Sequence, residues 1–354
     1  MNKKGIGAIF AWIFIMIAGA LIITVFTIIA MDSSASAQDR LNLQALENVN
    51  TILQTQQTTG NIATNINIPY TNLRITCSAF EGGGSIALEN QLEIGGFSQD
   101  LETQLVAGRD LTTDRLSLFS KRWSAPYTVG NILYVTSPDE ILLYSQPTHM
   151  NTEFSELVPE GLNVHDEIMT GLRPEAYENS RIVIIETSPA PDVTGYISKI
   201  NTVQEGVQYM HVHSRGNNFE KGSVTYYELD NTNTLRRSDS YLYHGPEMML
   251  AYVWQADSTR ANCMQHKLAE RLKAQTEVQL SRVQNLRTHY TLNSACGQRH
   301  SSDPLIRLQE ALEPNLPFDN QKVLYGFSDL SEAIEGVHAH NERLLRGDRC
   351  ASIY

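Results

Sequence analysis

KKGIGAIFAWIFIMIAGALIITVFTIIAMDSSASAQDRLNLQALENVNTILQTQQTT, Lys3 to Thr59, decides how the rest of the chain is read. Its apolar run from Ile6 to Met31 carries no charge. It exceeds the roughly 20 residues needed to cross a hydrocarbon core of about 30 Å. The side chains of Trp12, Phe14, Ile17, Leu21, Ile22 and Val25 leave no polar face for a soluble helix to expose. Lys3 and Lys4 precede the run and Asp32 follows it. Basic flanks mark the cytoplasmic side, so the long C-terminal part is expected outside. A cleaved secretory signal has a shorter apolar core, of about 7–15 residues, although Ala35, Ser36 and Ala37 are small enough for signal peptidase.

Beyond the run the helical period continues. Leu46, Val49 and Leu53 recur at spacings of three and four, with Leu43 and Ile52 widening the stripe, and Gly60 supplies a stop. A single helix from Ile6 to Gln57 would be on the order of 75 Å long. The stretch reads as a transmembrane helix that becomes a stalk.

With 354 residues, the chain holds this anchor plus one or two domains. Its net charge of −12 disfavours a nucleic-acid partner, which would call for a basic face. The four cysteines, Cys77, Cys263, Cys296 and Cys350, all follow the anchor, and an even number on the outer side suggests two disulfides. None has the close spacing of zinc or thioredoxin-like sites.

Four regions follow from the pattern: the anchor and stalk (1–59), a β-rich region (60–150), a mixed α/β region (151–250) and a helical region (251–354). The fold class is α+β. Alternation predicts strands at Asn65–Pro69, Asn72–Cys77, Ser85–Ile94, Leu116–Trp123, Asn131–Thr136 and Ile141–Ser145, in a sheet with one packed face. Short helical pieces are expected between Asn151 and Asn179, with Asn151 as an N-cap and His165–Glu167 as a helix-start signal. The β-branched run Ile182–Ile185 predicts a central strand buried on both faces. Strands at Tyr196–Val203, Val207–His213, Ser223–Leu229 and Leu235–Tyr243 follow. Helices are then expected at Ser258–Thr291, at Asp303–Leu312 with Pro304 at its first position, and along a heptad seam from Val323 through Leu344 broken by Asn341. One straight helix over Ser258–Thr291 would hold Cys263 and Cys296 roughly 50 Å apart, far outside disulfide range. Cys350 is therefore one partner in a bond, with the other left open.

The strongest local candidate for chemistry is His211 with His213. Strand alternation places both imidazoles on one face with Tyr209, where they could share a metal. No third ligand is identifiable, and Met210 with Val212 equally reads as a core face that leaves the histidines solvated. His338 and His340, two apart on a helix, point away from each other. The chain has no GxSxG elbow, HExxH helix, phosphate loop or dinucleotide fingerprint, and neither a catalytic residue nor a cofactor is assigned.

Lys3, Lys4 and Gly5, followed by the apolar run and its amphipathic continuation, resemble the class III signal segment of archaeal type IV pilin-like proteins. That resemblance covers about the first sixth of the chain. It implies cleavage between Gly5 and Ile6 and assembly of the apolar helices as a filament core. Phe10 stands where many members carry an acidic residue. The layout as a whole resembles uncharacterised archaeal membrane-anchored proteins. The function expected is a single-pass, extracytoplasmic envelope protein with a non-catalytic binding or assembly role, its partners being the lipid bilayer and either itself or another protein. The alternatives are an anchored receptor or adhesion module, and an anchored metal-dependent hydrolase.

Overall fold

The computed structural model describes residues 3–59, 63–82, 85–94, 97–101, 105–107, 111–166, 180–187, 207–229, 235–255, 257–290, 295–312, 320–347 and 350–354. The side chains of residues 3–15 and of Cys77 are among those outside the description, as is the strand expected at Tyr196–Val203.

Helix α1 runs unbroken over Lys3–Thr59. It is the one helix among the described residues that is long and apolar enough to cross a membrane. Its two halves live in different surroundings. From Met16 to Met31 the large apolar side chains are 54–70 % exposed. From Asn42 onward a stripe at spacings of three and four (Asn42, Ala45, Leu46, Val49, Leu53, Gln56) is buried. The apolar members form one core with Leu73, Ile75, Leu116, Leu118, Leu133 and Val135 of the first sheet. Burying a Val or Leu stabilises by roughly 1.5–3 kcal/mol, so this stripe suffices to hold the half-helix in place. Two amides finish the join: Asn131 Nδ2 donates to Gln56 O over 3.2 Å, and Gln56 Nε2 donates to Leu118 O over 3.5 Å.

That first sheet, A, contains β1 (Ala63–Gly82), β2 (Ser85–Ile94), β3 (Phe97–Leu101), β4 (Leu105–Ala107), β5 (Leu111–Ser124) and β6 (Thr128–Thr136), in the order β3-β2-β1-β5-β6-β4. Neighbours run antiparallel except β4 and β6. The two strands expected at Asn65–Pro69 and Asn72–Cys77 are one long strand, β1, whose register against β5 shifts between Asn67 and Thr71. Pro69 lies within that shift, where a residue without an N–H does least harm to the ladder. The expectation of one packed face is corrected at β5 and β6. Leu116, Leu118, Leu133 and Val135 face α1, while Phe119, Trp123, Ile132 and Tyr134 on the alternate positions enter a second core.

The second core lies between sheet A and sheet B. Sheet B holds β7 (Ile141–Ser145), β8 (Asn163–Asp166), β9 (Ser180–Glu186), β10 (Gln208–Ser214), β11 (Lys221–Leu229) and β12 (Leu235–His244), in the order β12-β11-β10-β9-β7-β8. Strands β8, β7, β9 and β10 are parallel, and β11 and β12 add on antiparallel. As the β-branched run predicts, Ile182, Val183, Ile184 and Ile185 are all buried. Of the 151–179 stretch, residues 151–166 are described, and there the N-cap differs from expectation. Only Phe154–Leu157 (α2) is helical among its described residues, and Glu153, not Asn151, stands at the N-cap. His165 and Asp166 lie in strand β8 at the edge of the parallel sheet, paired with Leu143 and Tyr144, and Glu167, the third residue of the expected helix-start signal, lies outside the described residues.

Helix α3 (Pro246–Trp254) fills the space between the sheets, with every residue from Met248 to Trp254 buried. Gly245 precedes it at φ 89°, a left-handed conformation open to glycine, and Pro246 occupies the first turn. The boundary placed between residues 250 and 251 falls inside this helix. Tyr134 Oη donates to Glu247 O and Tyr226 Oη to Tyr252 O, both over 2.6 Å, tying α3 to each sheet. Its C-terminal carbonyls are answered by a buried arginine: Arg181 Nη1 donates to Val253 O and Gln255 O at 2.8 Å each, while Arg181 Nε pairs with Glu140.

The C-terminal third packs against this core as α4 (Ser258–His289), α5 (Ala295–Arg299), α6 (Asp303–Leu312) and α7 (Asn320–Glu342), followed by a π-turn at Arg343–Gly347. Asp257 caps α4 by accepting from the Arg260 N–H over 2.8 Å. Cys350 bonds Cys296, with Cα atoms 5.6 Å apart. Cys263 is also disulfide-bonded, and no cysteine among the described residues is free. Asn341, the polar break in the heptad seam, is buried and its Oδ1 accepts from the Ile353 N–H over 2.7 Å, pinning the C-terminal tail.

Candidate functional site

The parallel part of sheet B sets the geometry. In the order β8-β7-β9-β10, successive crossovers leave β7 in opposite directions, so β7 and β9 flank a switch point. In open α/β sheets the crevice beyond the carboxyl ends of such strands is where ligands bind. Glu186 ends β9 and Thr187 follows it, while His213 lies opposite Glu186 near the end of β10. His149, just after β7, reaches Thr187, with Nε2 2.7 Å from Oγ1.

His211 and His213 share a face, as alternation predicts, with ring centroids 6.4 Å apart. The opposite positions, Met210 and Val212, belong to the inter-sheet core. His211 is not solvated, however. It is 5 % exposed, and its Nε2 lies 3.2 Å from Glu186 Oε2. Burial pushes the His211 pKa down to about 4, helped by the nearby positive fields of His213 and Arg237. Burial likewise lowers His213, with Arg215 adding to it, and raises Glu186. Every shift favours the uncharged form. At neutral pH His211 is therefore a neutral imidazole whose Nε2 faces the Glu186 carboxyl group.

Such a pair can orient an imidazole or relay a proton. No serine, threonine or cysteine is hydrogen-bonded to His211 among the described residues, so the arrangement lacks the nucleophile that a triad requires. Nor do the described residues contain a group of three His, Cys, Asp or Glu placed to hold a metal ion. His338 and His340 are not brought together with this face. His338 Nδ1 lies 3.2 Å from the Tyr354 hydroxyl at the C-terminal tail. Glu186, Thr187 and His149 escaped the sequence reading. The one available signal was Glu186 itself, a carboxylate that continues the β-branched run into a buried register.

The His211 shift carries a pH signature. Its folded pKa lies below its unfolded value near 6.5, so the unfolded chain binds the extra proton first and stability falls with pH. The loss should run at about 1.4 kcal/mol per pH unit below pH 6.5 and total roughly 3 kcal/mol by pH 4. Glu186, whose pKa is raised by burial, opposes the trend as it takes up its proton. Urea titrations at pH 7.0, 6.0 and 5.0 check this. A His211→Gln variant should show a flatter profile, and an unchanged slope would mean that the imidazole is charged in the fold.

No family model, curated protein or solved structure matches the chain.

Proposed function

We propose that this chain is a membrane-anchored, extracytoplasmic envelope protein of pilin-like build, whose outer part binds or assembles without catalysis. The observation that carries the reading is the division of α1. One half belongs to a helix long and apolar enough to span a bilayer and presents bare apolar side chains from Met16 to Met31, and the other half is clamped onto sheet A. A soluble helix exposing Ile17, Leu21, Phe26 and Ile29 would leave a large apolar patch in water. In a bilayer the same surface is solvated by lipid tails.

The orientation rests on Lys3 and Lys4 before the run and Asp32 after it, together with the disulfide-bonded state of the described cysteines Cys263, Cys296 and Cys350, which suits an oxidising compartment. An adhesion module on the same tether shares every feature except assembly.

The N-terminus of protein isolated from its native membrane tests the pilin-like part. A mature chain that begins at Ile6, recovered in particles much larger than one copy, supports it. An intact Met1 or Lys3 rules out the processing and leaves a simple tether.

A further inference from the structure

Residues Cys350–Tyr354 form a tail that is held at each position by α4, α5, α7 or their neighbours. Cys350 is disulfide-bonded to Cys296. The Ser352 carbonyl accepts from Arg282 Nη2 over 3.4 Å, and the Ile353 N–H donates to Asn341 Oδ1 over 2.7 Å. The Tyr354 ring meets Tyr127 edge-on, with centroids 5.6 Å apart. The Ala351 carbonyl is held by His300.

His300, which follows α5, is 0 % exposed, and both of its ring nitrogens face carbonyl oxygens. Nδ1 lies 2.6 Å from Cys296 O, and Nε2 lies 2.8 Å from Ala351 O. A carbonyl oxygen can only accept, and a neutral imidazole carries one N–H. In the neutral ring one nitrogen would therefore turn its lone pair on an oxygen at hydrogen-bond distance, with no proton between them. Only the cation, with an N–H on each nitrogen, satisfies both contacts. Whichever nitrogen gives up its proton, one contact turns repulsive, and the ring relieves it by moving off the tail or off α5.

Burial by itself disfavours a cation, so the surroundings must answer the charge. The two carbonyls do so in the ring plane. Tyr290, at the end of α4, lies face to face with the imidazole, with centroids 5.5 Å apart and 9° between the planes, within the range at which a cation is drawn to an aromatic face. His289 meets Tyr290 edge-on. On α7, the His340 pKa is pushed down by burial first and then by the positive fields of Arg343 and His300, with Asp303 of α6 opposing, so His340 does not compete for the proton. The remaining titratable groups around the seat, among the described residues, are Arg299 beside His300 in sequence, Arg282 on α4, and Tyr354, whose hydroxyl lies 3.2 Å from His338 Nδ1.

We propose that His300 is a proton-operated latch: its imidazolium form bridges the Cys296 and Ala351 carbonyls and seats residues 351–354, and loss of the proton loosens them. The latch is closed on the acid side and opens as pH rises. The Cys296–Cys350 bond keeps the tail tethered in both states, which confines the change to the residues beyond it. Histidine ordinarily changes charge between pH 5 and 8, and this sets the range in which to look. The proposal does not depend on the membrane reading.

Two measurements on the full chain in detergent test it. In protein labelled with 15N at histidine, the His300 ring signals, identified by their loss in His300→Gln, should show a proton on both nitrogens at pH 5. The Ile353 amide reports the tail through its bond to Asn341. Its protection from hydrogen exchange, relative to the unstructured rate at each pH, should fall about tenfold or more between pH 5 and pH 8.5, the effect expected for a hydrogen bond to a charged group. The fall should track the loss of the second ring proton. His300→Gln should flatten the profile, and His338→Gln should leave it in place. If His300→Gln fails to fold, wild-type ring signals assigned through the backbone, with the exchange profile, decide alone. A single ring proton on His300 while the tail is protected, protection that does not change with pH, or a pH dependence that survives His300→Gln or vanishes in His338→Gln overturns the assignment.

Discussion

Replacing Arg181 with alanine should cost about 3–5 kcal/mol and collapse the interface between sheet B and α3. This arginine is 1 % exposed and serves three acceptors at once: Glu140 and the carbonyls of Val253 and Gln255. Without it, the Glu140 carboxylate keeps only the Thr136 hydroxyl at 2.6 Å, and the two helix-end carbonyls lose their donor inside the core. Removing one partner of a buried pair is expensive because the other is left uncompensated. Arg181→Met keeps volume but not donors, so it should recover little, and that comparison separates hydrogen bonding from packing. Equilibrium unfolding of the two variants measures the difference. Equal, small losses near 1 kcal/mol would show that water answers the carbonyls instead.

Placing aspartate at Val49 should undock the second half of α1, with a loss of roughly 3–5 kcal/mol in the stability of that contact. Val49 is fully buried at the centre of the stripe that meets Leu116, Leu133 and Val135. A carboxylate in this apolar cluster must either drag water into the core or leave it. Amide exchange should then rise across 42–56 and along β5 and β6, while α3 and the parallel strands of sheet B stay protected. The apolar half of α1 is untouched by the change, so membrane retention should persist. Loss of protection throughout the chain would mean that the two cores fold as one unit.

Much of the fold is legible in the residues where one physical cause dominates. The uncharged run in α1, the stripe that follows it and the β-branched strand Ile182–Ile185 each announce themselves by period or by an unbroken apolar run. Helix α3 does not. Its buried sequence Met248–Trp254 is apolar on every side, so no face is marked, and only the two flanking sheets decide that it is helical and enclosed. Strand β8 is hidden for the opposite reason: Asn163–Asp166 is polar and pairs at a sheet edge, where hydrophobic alternation is not required.

The candidate site divides in the same way. Alternation along β10 places His211 and His213 together, but it says nothing of Glu186, 25 residues away, which reaches His211 through the parallel pairing of β9 with β10. The buried state of His211 follows from that pairing and could not be read from its neighbours in the chain. Likewise, Asn341 looks like a flaw in a heptad until the C-terminal tail arrives to use its carbonyl.

The central claim is that the exposed half of α1 belongs in a bilayer and that everything from sheet A onward is carried beside it. Extraction of membranes with alkaline carbonate tests it directly, comparing the full chain with one that begins at Asp32. The full chain should remain wholly in the membrane pellet, and the shortened chain, with its Ala45–Leu53 stripe still docked on sheet A, should appear folded in the soluble fraction. A full chain released by carbonate, or a shortened chain that stays behind in the pellet, would contradict the account.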